Sequence, residues 1–172
     1  MDQTDTRTQA EPGARVRVVS WAEQSAFSST HTASGLEFLQ AMARGEVPPA
    51  PMMALLGMSL ISATEGETVF RLTPGEFHYN PMWSVHGGVY ATMLDSAAAC
   101  AVHTTLPAKA TFSTLDLSVR LVRPIDASTG LVTATGTVIH VGRQVALAEA
   151  CLQDSAGTLL ATATASCYVS RP

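Results

Sequence analysis

The chain has 172 residues, of which 47% are hydrophobic and 14% charged, a balance that suits one compact domain and is too apolar for a disordered chain. The net charge of −4 and the lack of a basic stripe argue against nucleic acid as a partner. No apolar run reaches the roughly 18 residues of a membrane span, so no membrane partner is expected.

The cysteines and the first residues bear on compartment and metal content. Cys100, Cys151 and Cys167 are too few and too widely spaced for a disulfide framework or a zinc site, and the histidines show no metal-ligand spacing. We expect no metal, and cysteines that are small core residues in a reducing compartment. The N-terminus lacks the basic start and apolar segment of a secretory signal, which favours a cytoplasmic location.

The first third of the chain is predicted to contain an extension, one helix and two strands. Residues 1–30 are predicted to be an N-terminal extension that is partly disordered. Whether residues 15–21 form a short strand is left open by the sequence. The remainder, 31–172, is predicted to be a single domain. A short surface helix is predicted at 34–45, where a serine cap precedes it and glycine and prolines end it. Residues 60–72 predict two strands joined by a turn.

Four strands are predicted in the second half of the chain. Residues 114–121 alternate between apolar and polar, which places Leu115 and Leu117 on one face and makes this the clearest strand. The other three are separated by turn signals and lie at 131–141, 144–152 and 158–169.

Between these groups of strands lies a long helix that is apolar nearly all round, from Gly87 to Val102. A helix with no broad polar face is typically buried. The sequence therefore predicts an α+β domain in which an antiparallel sheet curls around this helix.

Asp95 is the only charged side chain in that helix. Its neighbours three and four residues away carry no positive charge: Ala91, Thr92, Ala98 and Ala99. A desolvated carboxylate costs several kcal/mol unless it is hydrogen-bonded or paired. Asp95 is therefore a candidate general base, and the alternative is a structural carboxylate at a subunit edge.

The sequence His86-Gly87-Gly88 stands where the long helix begins. The first amides of a helix have no internal partner and can bind a developing oxyanion, and glycine allows a substrate to approach them. By helical rise, Asp95 stands roughly 12–14 Å further along the axis, too far to reach the same carbonyl. A site shared by two antiparallel copies would remove this difficulty, although the motif alone could equally be a turn before a helix.

These motifs, in their order along the chain, resemble those of one family. Asn80, His86-Gly87-Gly88, Asp95 and the stretch from Ser113 to Asp116 resemble the hotdog-fold acyl-CoA thioesterases of the phenylacetic-acid-degradation (PaaI) type, over about residues 34–168. The resemblance implies a long central helix wrapped by a curved antiparallel sheet. It also implies a homodimer, or a homotetramer built as a dimer of dimers, with active sites at the dimer interface.

The resemblance further implies a reaction and its residues. An acyl-CoA thioester is hydrolysed to free acid and CoA, with no cofactor beyond the CoA of the substrate. The Gly87 amide polarises the carbonyl, and Asp95 of the other subunit acts as general base or nucleophile. Asn80 and His86 orient the substrate or the leaving thiolate, and Ser113 helps to place the attacking water.

Substrate binding is assigned to a further set of residues. Gly88 and Thr114 flank the catalytic residues, and Trp83 occupies a position where the family usually has a small residue, so it is expected to reshape the acyl pocket. Three arginines are candidates for the CoA phosphates: Arg120, Arg123 and Arg143. Arg143 follows a turn glycine and could equally be a solvated hairpin residue.

Two other functions fit the same residues. A hotdog hydratase or dehydratase could use Asp95 and His86 to move protons on an enoyl thioester without releasing thiol. A non-catalytic acyl-CoA binding protein would bind the ester and leave it intact, because a fold does not fix a function. The leading hypothesis is a thioesterase for small aromatic or medium-chain acyl groups.

Overall fold

The computed structural model describes residues 13–172, apart from the side chains of residues 28–31. The predicted disorder of the N-terminal extension lies largely outside the described residues. Within the described part, residues 14–23 form neither helix nor strand, so the segment at 15–21 is not a strand, and a 3₁₀ helix follows at Gln24–His31.

Two short helices precede the sheet. Helix α1, Gly35–Ala43, begins with a capping box in which Ser34 Oγ accepts from the Glu37 amide and the Glu37 carboxylate accepts from the Ser34 amide. The helix predicted at 34–45 is therefore confirmed, and it buries Phe38 against the core. Helix α2, Pro51–Leu56, has proline in its first turn and ends at Gly57, whose φ of 72° favours glycine.

The described part of the chain has six strands: β1 Met58–Thr64, β2 Glu67–Leu72, β3 Thr111–Leu121, β4 Val132–Val141, β5 Val145–Asp154 and β6 Leu159–Ser170. They form one antiparallel sheet in the order β1-β2-β4-β5-β6-β3. Every predicted strand is confirmed to within a few residues. Strand β3 lies at one edge of the sheet, so one side of its backbone has no partner within the described chain.

The long helix α3, Gly87–Thr104, packs against the concave face of the sheet and contacts all six strands. Backbones approach closely there, because a Cβ on Gly136 of β4 would lie 2.2 Å from the carbonyl oxygen of Ala97. Thr68 of β2 donates to that same carbonyl over 2.8 Å. The expected hotdog architecture is confirmed. No helix within residues 13–172 is long and apolar enough to cross a membrane.

The alternation predicted for β3 is wrong at Leu115. The register with β6 shifts between Thr114 and Asp116, so Leu115 is the extra residue of a β-bulge. Its side chain is 61% exposed, whereas Leu117 is half-buried. The bulge keeps Thr114 opposite the buried Cys167, on the face that covers α3.

Candidate active site

The start of α3 leaves one backbone amide free. His86 is the N-cap, and its Nδ1 accepts a hydrogen bond of 2.9 Å from the Gly88 amide. The Gly87 amide has no acceptor among the described residues. A neutral His86 ring with Nδ1 as acceptor carries its proton on Nε2, which leaves a donor at this exposed position. Gly87 and His86 therefore present two donors at one helix end, whereas the Gly88 amide is already used.

A short antiparallel loop holds His86 in place. Tyr79 pairs with Val85, and the His86 amide donates to the carbonyl of His78 over 2.8 Å. His78 is buried, its Nδ1 accepts from the Gly75 amide, and its Nε2 donates to the Leu56 carbonyl. Burial lowers the pKa of His78, so the ring is neutral at pH 7 and anchors the loop as an uncharged group.

Asn80 closes the turn that leads to His86. Its side-chain Oδ1 accepts from the backbone amides of Met82 at 2.8 Å and Ser84 at 3.4 Å. Its backbone amide donates to the Ser84 carbonyl. Trp83 sits at the tip with φ of 61° and is 77% exposed. Within one protomer Asn80 shapes the loop, and its predicted role in orienting substrate stays a prediction.

Asp95 lies two turns further along α3 and is half-buried. Thr114 Oγ1 donates to Asp95 Oδ1 over 2.9 Å, and no ion pair reaches Asp95 from the described residues. Ser113 is exposed, and its predicted role in placing the attacking water stays a prediction. It lies opposite Tyr168 of β6, which is also exposed, and alternation along β3 turns its side chain to the outer face of the sheet. The structure thus brings Thr114, and not Ser113, to Asp95 of the same protomer.

Two cysteine thiols lie close enough to Asp95 for its charge to affect them. Burial, with a smaller contribution from the Asp95 carboxylate, raises the pKa of Cys100 to about 12. The same two causes raise the pKa of Cys167. Both thiols are protonated at pH 7 and are poor nucleophiles.

The three candidate arginines do not meet within one protomer. Arg120 is exposed on β3, and Arg123 follows that strand, where its carbonyl accepts from the Tyr90 hydroxyl at 3.1 Å. Arg143 lies in the β4–β5 turn beside the end of β6, at the end of the sheet where β3 starts, and its carbonyl accepts from the Arg171 guanidinium. An 11-residue strand is roughly 35 Å long, so Arg123 and Arg143 lie far apart.

The amide and the carboxylate are separate within one chain. Gly87 and Asp95 are eight residues apart on one helix, which corresponds to roughly 12 Å of axial rise. Residues 13–172 contain no group of three or more acidic, histidine or cysteine side chains placed to bind a metal ion. The chain thus presents two half-sites, an amide at the helix start and a carboxylate in its middle.

Comparison with known proteins gives consistent matches. The model of the thioesterase superfamily matches residues 83–161. A phenylacetic acid degradation-related protein of Ralstonia eutropha JMP134 is 32% identical, with 76% of this chain and 98% of that one covered and a TM-score of 0.68. The PaaI protein of E. coli is 25% identical, with 79% and 94% covered and a TM-score of 0.67. The 1,4-dihydroxy-2-naphthoyl-CoA hydrolase of Listeria monocytogenes is 27% identical over 61% of this chain and 84% of its own length.

Proposed function

Because this chain belongs to the thioesterase superfamily and is a PaaI-like thioester hydrolase, we propose that its substrate is an acyl-CoA and its products a free acid and CoA. The relative from Listeria is named for hydrolysis of a CoA ester, which supports the CoA part of the proposal. The observation that carries it is the pairing of a free Gly87 amide with a half-buried Asp95 on one helix.

In the proposed reaction the thioester carbonyl oxygen accepts a hydrogen bond from the Gly87 amide. Asp95 takes a proton from water, and the water oxygen attacks the carbonyl carbon. Negative charge develops on the carbonyl oxygen, where the amide and the positive end of the helix dipole stabilise it. The tetrahedral intermediate collapses, the C–S bond breaks, and the proton passes to the departing sulfur. If Asp95 attacked directly, an acyl-aspartate anhydride would form and water would then cleave it.

Two subunits are needed to assemble this site. Gly87 and Asp95 of one chain cannot reach one carbonyl over roughly 12 Å. An antiparallel second copy of α3 would bring the partner's Asp95 to Gly87, and a two-fold axis would build two equivalent sites. The open edge of β3 supports this arrangement, since it offers 11 residues of unpaired backbone for a second strand. We therefore propose a homodimer, alone or as half of a tetramer.

Neighbouring side chains have supporting roles in the proposal. His86 directly precedes the free amide of Gly87 in the chain, and its Nε2–H would donate to the sulfur or the carbonyl oxygen. Thr114 holds the carboxylate through its hydroxyl, beside the position that the sequence motif assigns to Ser113. Arg123 lies near the start of α3 through its contact with Tyr90, so it is the arginine that we assign to CoA phosphate.

Thiol release tests the proposal. Wild type, Asp95→Asn and Glu65→Gln are assayed with acetyl-, hexanoyl-, benzoyl- and phenylacetyl-CoA. Glu65 is an exposed carboxylate in the turn between β1 and β2, at the sheet edge opposite β3, and serves as the matched control. We expect turnover by wild type and the control, and a loss of at least about a hundredfold in Asp95→Asn. No thiol from any ester would refute hydrolysis of these substrates, and consumption of an enoyl-CoA without thiol would indicate a hydratase.

A further inference from the structure

A cavity of about 550 Å³ opens beside the loop that carries Asn80. It lies between an extended N-terminal segment and the loop before α3. Its lining residues are Arg15, Val16, Arg17, Glu76, Phe77, Tyr79, Asn80, Pro81 and Trp83. Its volume is within the range of sites that hold a small ligand, roughly 300–1,000 Å³.

The segment 15–17, here called the N-terminal strap, is tied to the body of the protein by its two arginines. Arg15 forms an ion pair with Glu76. Arg17 donates to the carbonyl of Leu55 at the end of α2, and its guanidinium lies 3.9 Å from the centre of the Phe77 ring. The strap therefore fixes one wall of the cavity, with Val16 between the two anchored arginines.

The free lining is apolar and aromatic. Both guanidinium groups and the Glu76 carboxylate are engaged with one another or with the protein. The Tyr79 hydroxyl accepts from the Ala127 amide over 2.7 Å, and Asn80 bonds within its own turn. Arg15 is paired with Glu76, and Arg17 is the one lining cation without a carboxylate partner. The diphosphate and phosphate of CoA call for several cations, so the cavity suits an apolar group better than the charged end of CoA.

The cavity adjoins the proposed reaction centre. Residues 78–80 run antiparallel to residues 84–86, and such neighbouring backbones lie roughly 5 Å apart. Asn80, which lines the cavity, lies on one strand of this loop. His86 and the free amide of Gly87 lie at the end of the other strand. A thioester carbonyl held at Gly87 would have its acyl group within reach of the cavity.

We propose that this cavity receives the acyl group of the thioester, and that Val16 of the strap limits the size of group that enters. The inference rests on the proposed hydrolysis of acyl-CoA. It assigns acyl selection to a segment near the N-terminus, more than 60 residues before the helix that carries Asp95. The rings of Phe77 and Tyr79 in the lining favour aromatic or medium-length apolar groups.

Substitution at Val16 tests the inference against a matched control. In Val16→Trp the larger side chain would occupy part of the cavity, while Val18→Trp adds the same indole at a 90% exposed position outside it. Each variant and wild type are assayed for kcat/KM with acetyl-, hexanoyl- and phenylacetyl-CoA. We expect Val16→Trp to lose about tenfold or more on the two larger esters and less than about twofold on acetyl-CoA, with Val18→Trp unchanged on all three.

A second variant and a second readout cover the other outcomes. Trp83→Gly should open the cavity and raise the preference for phenylacetyl over acetyl, and its φ of 61° suits glycine. Inhibition by free CoA should not change in Val16→Trp. Equal losses on all three esters, or weaker inhibition by CoA, would overturn the assignment to the acyl group. Unchanged selectivity in both variants of an active enzyme would refute only this inference, whereas an inactive wild type would refute the proposed function and the inference with it.

Discussion

The hydroxyl of Thr114 donates a 2.9 Å hydrogen bond to Oδ1 of Asp95 and joins the edge strand β3 to the central helix α3. The described residues supply no other hydrogen bond to this carboxylate, so Oδ2 is left for water. Hydrogen bonds to charged groups contribute about 1.5–3 kcal/mol, which is enough to hold the carboxylate in one orientation. Thr114 thus positions the proposed base without taking a proton itself.

Removing the Thr114 hydroxyl should reduce turnover. Thr114→Val keeps the shape of the side chain but leaves Asp95 free to rotate, so kcat for the best acyl-CoA should fall about 10- to 100-fold while KM changes little. Ser113→Ala, on the outer face, should change kcat by less than about threefold, within the small effects usual for surface substitutions. Steady-state thiol release measures both. A larger effect at Ser113 than at Thr114 would mean that the neighbouring serine serves the site, in a partner subunit.

The contrast between these neighbours shows how far sequence periodicity reaches. Strand bounds follow from local alternation and turn residues, and the predicted bounds agree with the structure to within a few residues. The bulge at Leu115 has no local signal, because it arises from the register of β3 against β6, whose pairing residues lie some 50 positions away. Pattern alone therefore places Leu115 on the wrong face.

Proline at position 87 should remove the proposed oxyanion donor and keep the helix. Gly87 is the first residue of α3, where proline is favoured, and His86 has φ −61° and ψ 137°, a conformation that proline accepts in the preceding residue. Gly87→Pro loses the N–H and gains a ring that the first helical position accommodates, so we expect kcat to fall about 100- to 1,000-fold with little change in melting temperature.

Gly87→Ala is the matched control, because it keeps the amide. Its Cβ would lie 3.2 Å from a terminal methyl of Leu121, which a small side-chain shift relieves. Its kcat should stay within about tenfold of wild type, since alanine adds a single methyl group. Thiol release and thermal unfolding are measured for wild type, Gly87→Pro and Gly87→Ala. Equal activity in the proline and alanine variants would show that the Gly87 amide does not contact the substrate.

The shared site predicts complementation between two inactive variants. In a mixed dimer of Asp95→Asn and Gly87→Pro, one site has an intact amide from one chain and an intact carboxylate from the other. Random exchange makes half of the dimers mixed, each with one intact site in two, so about a quarter of wild-type activity should return. The assay is thiol release after subunit exchange at equal concentrations. If the mixture is no more active than its parents, Gly87 and Asp95 do not meet across the interface.

Motif order along the chain identifies the half-sites, but it gives no indication of the N-terminal strap. Gly87 and Asp95 belong to one helix, where spacing fixes distance, so their separation follows from the sequence alone. Arg17 contacts residues 38 and 60 positions away, and Arg15 pairs with Glu76. Such long-range ion pairs and ring contacts depend on the completed fold, because surface arginines in an irregular segment carry no periodicity.

His103 predicts how stability depends on pH. Burial lowers the pKa of this histidine to about 4, and its ring packs against Phe38 and Phe112. Above the ordinary value of 6.5 the ring is neutral in both states; below it the unfolded chain binds a proton that the folded protein refuses. The free energy of unfolding should therefore fall as pH drops from 6.5 towards 4, by about 2–3 kcal/mol at pH 4.5. Urea unfolding of wild type and His103→Leu, at pH 7.5 and pH 4.5 and at one protein concentration, measures this loss of stability. The variant is the control because leucine keeps the side-chain volume while every other titrating group, including His78, is unchanged. Equal losses in the two proteins would show that His103 takes up its proton in the folded state.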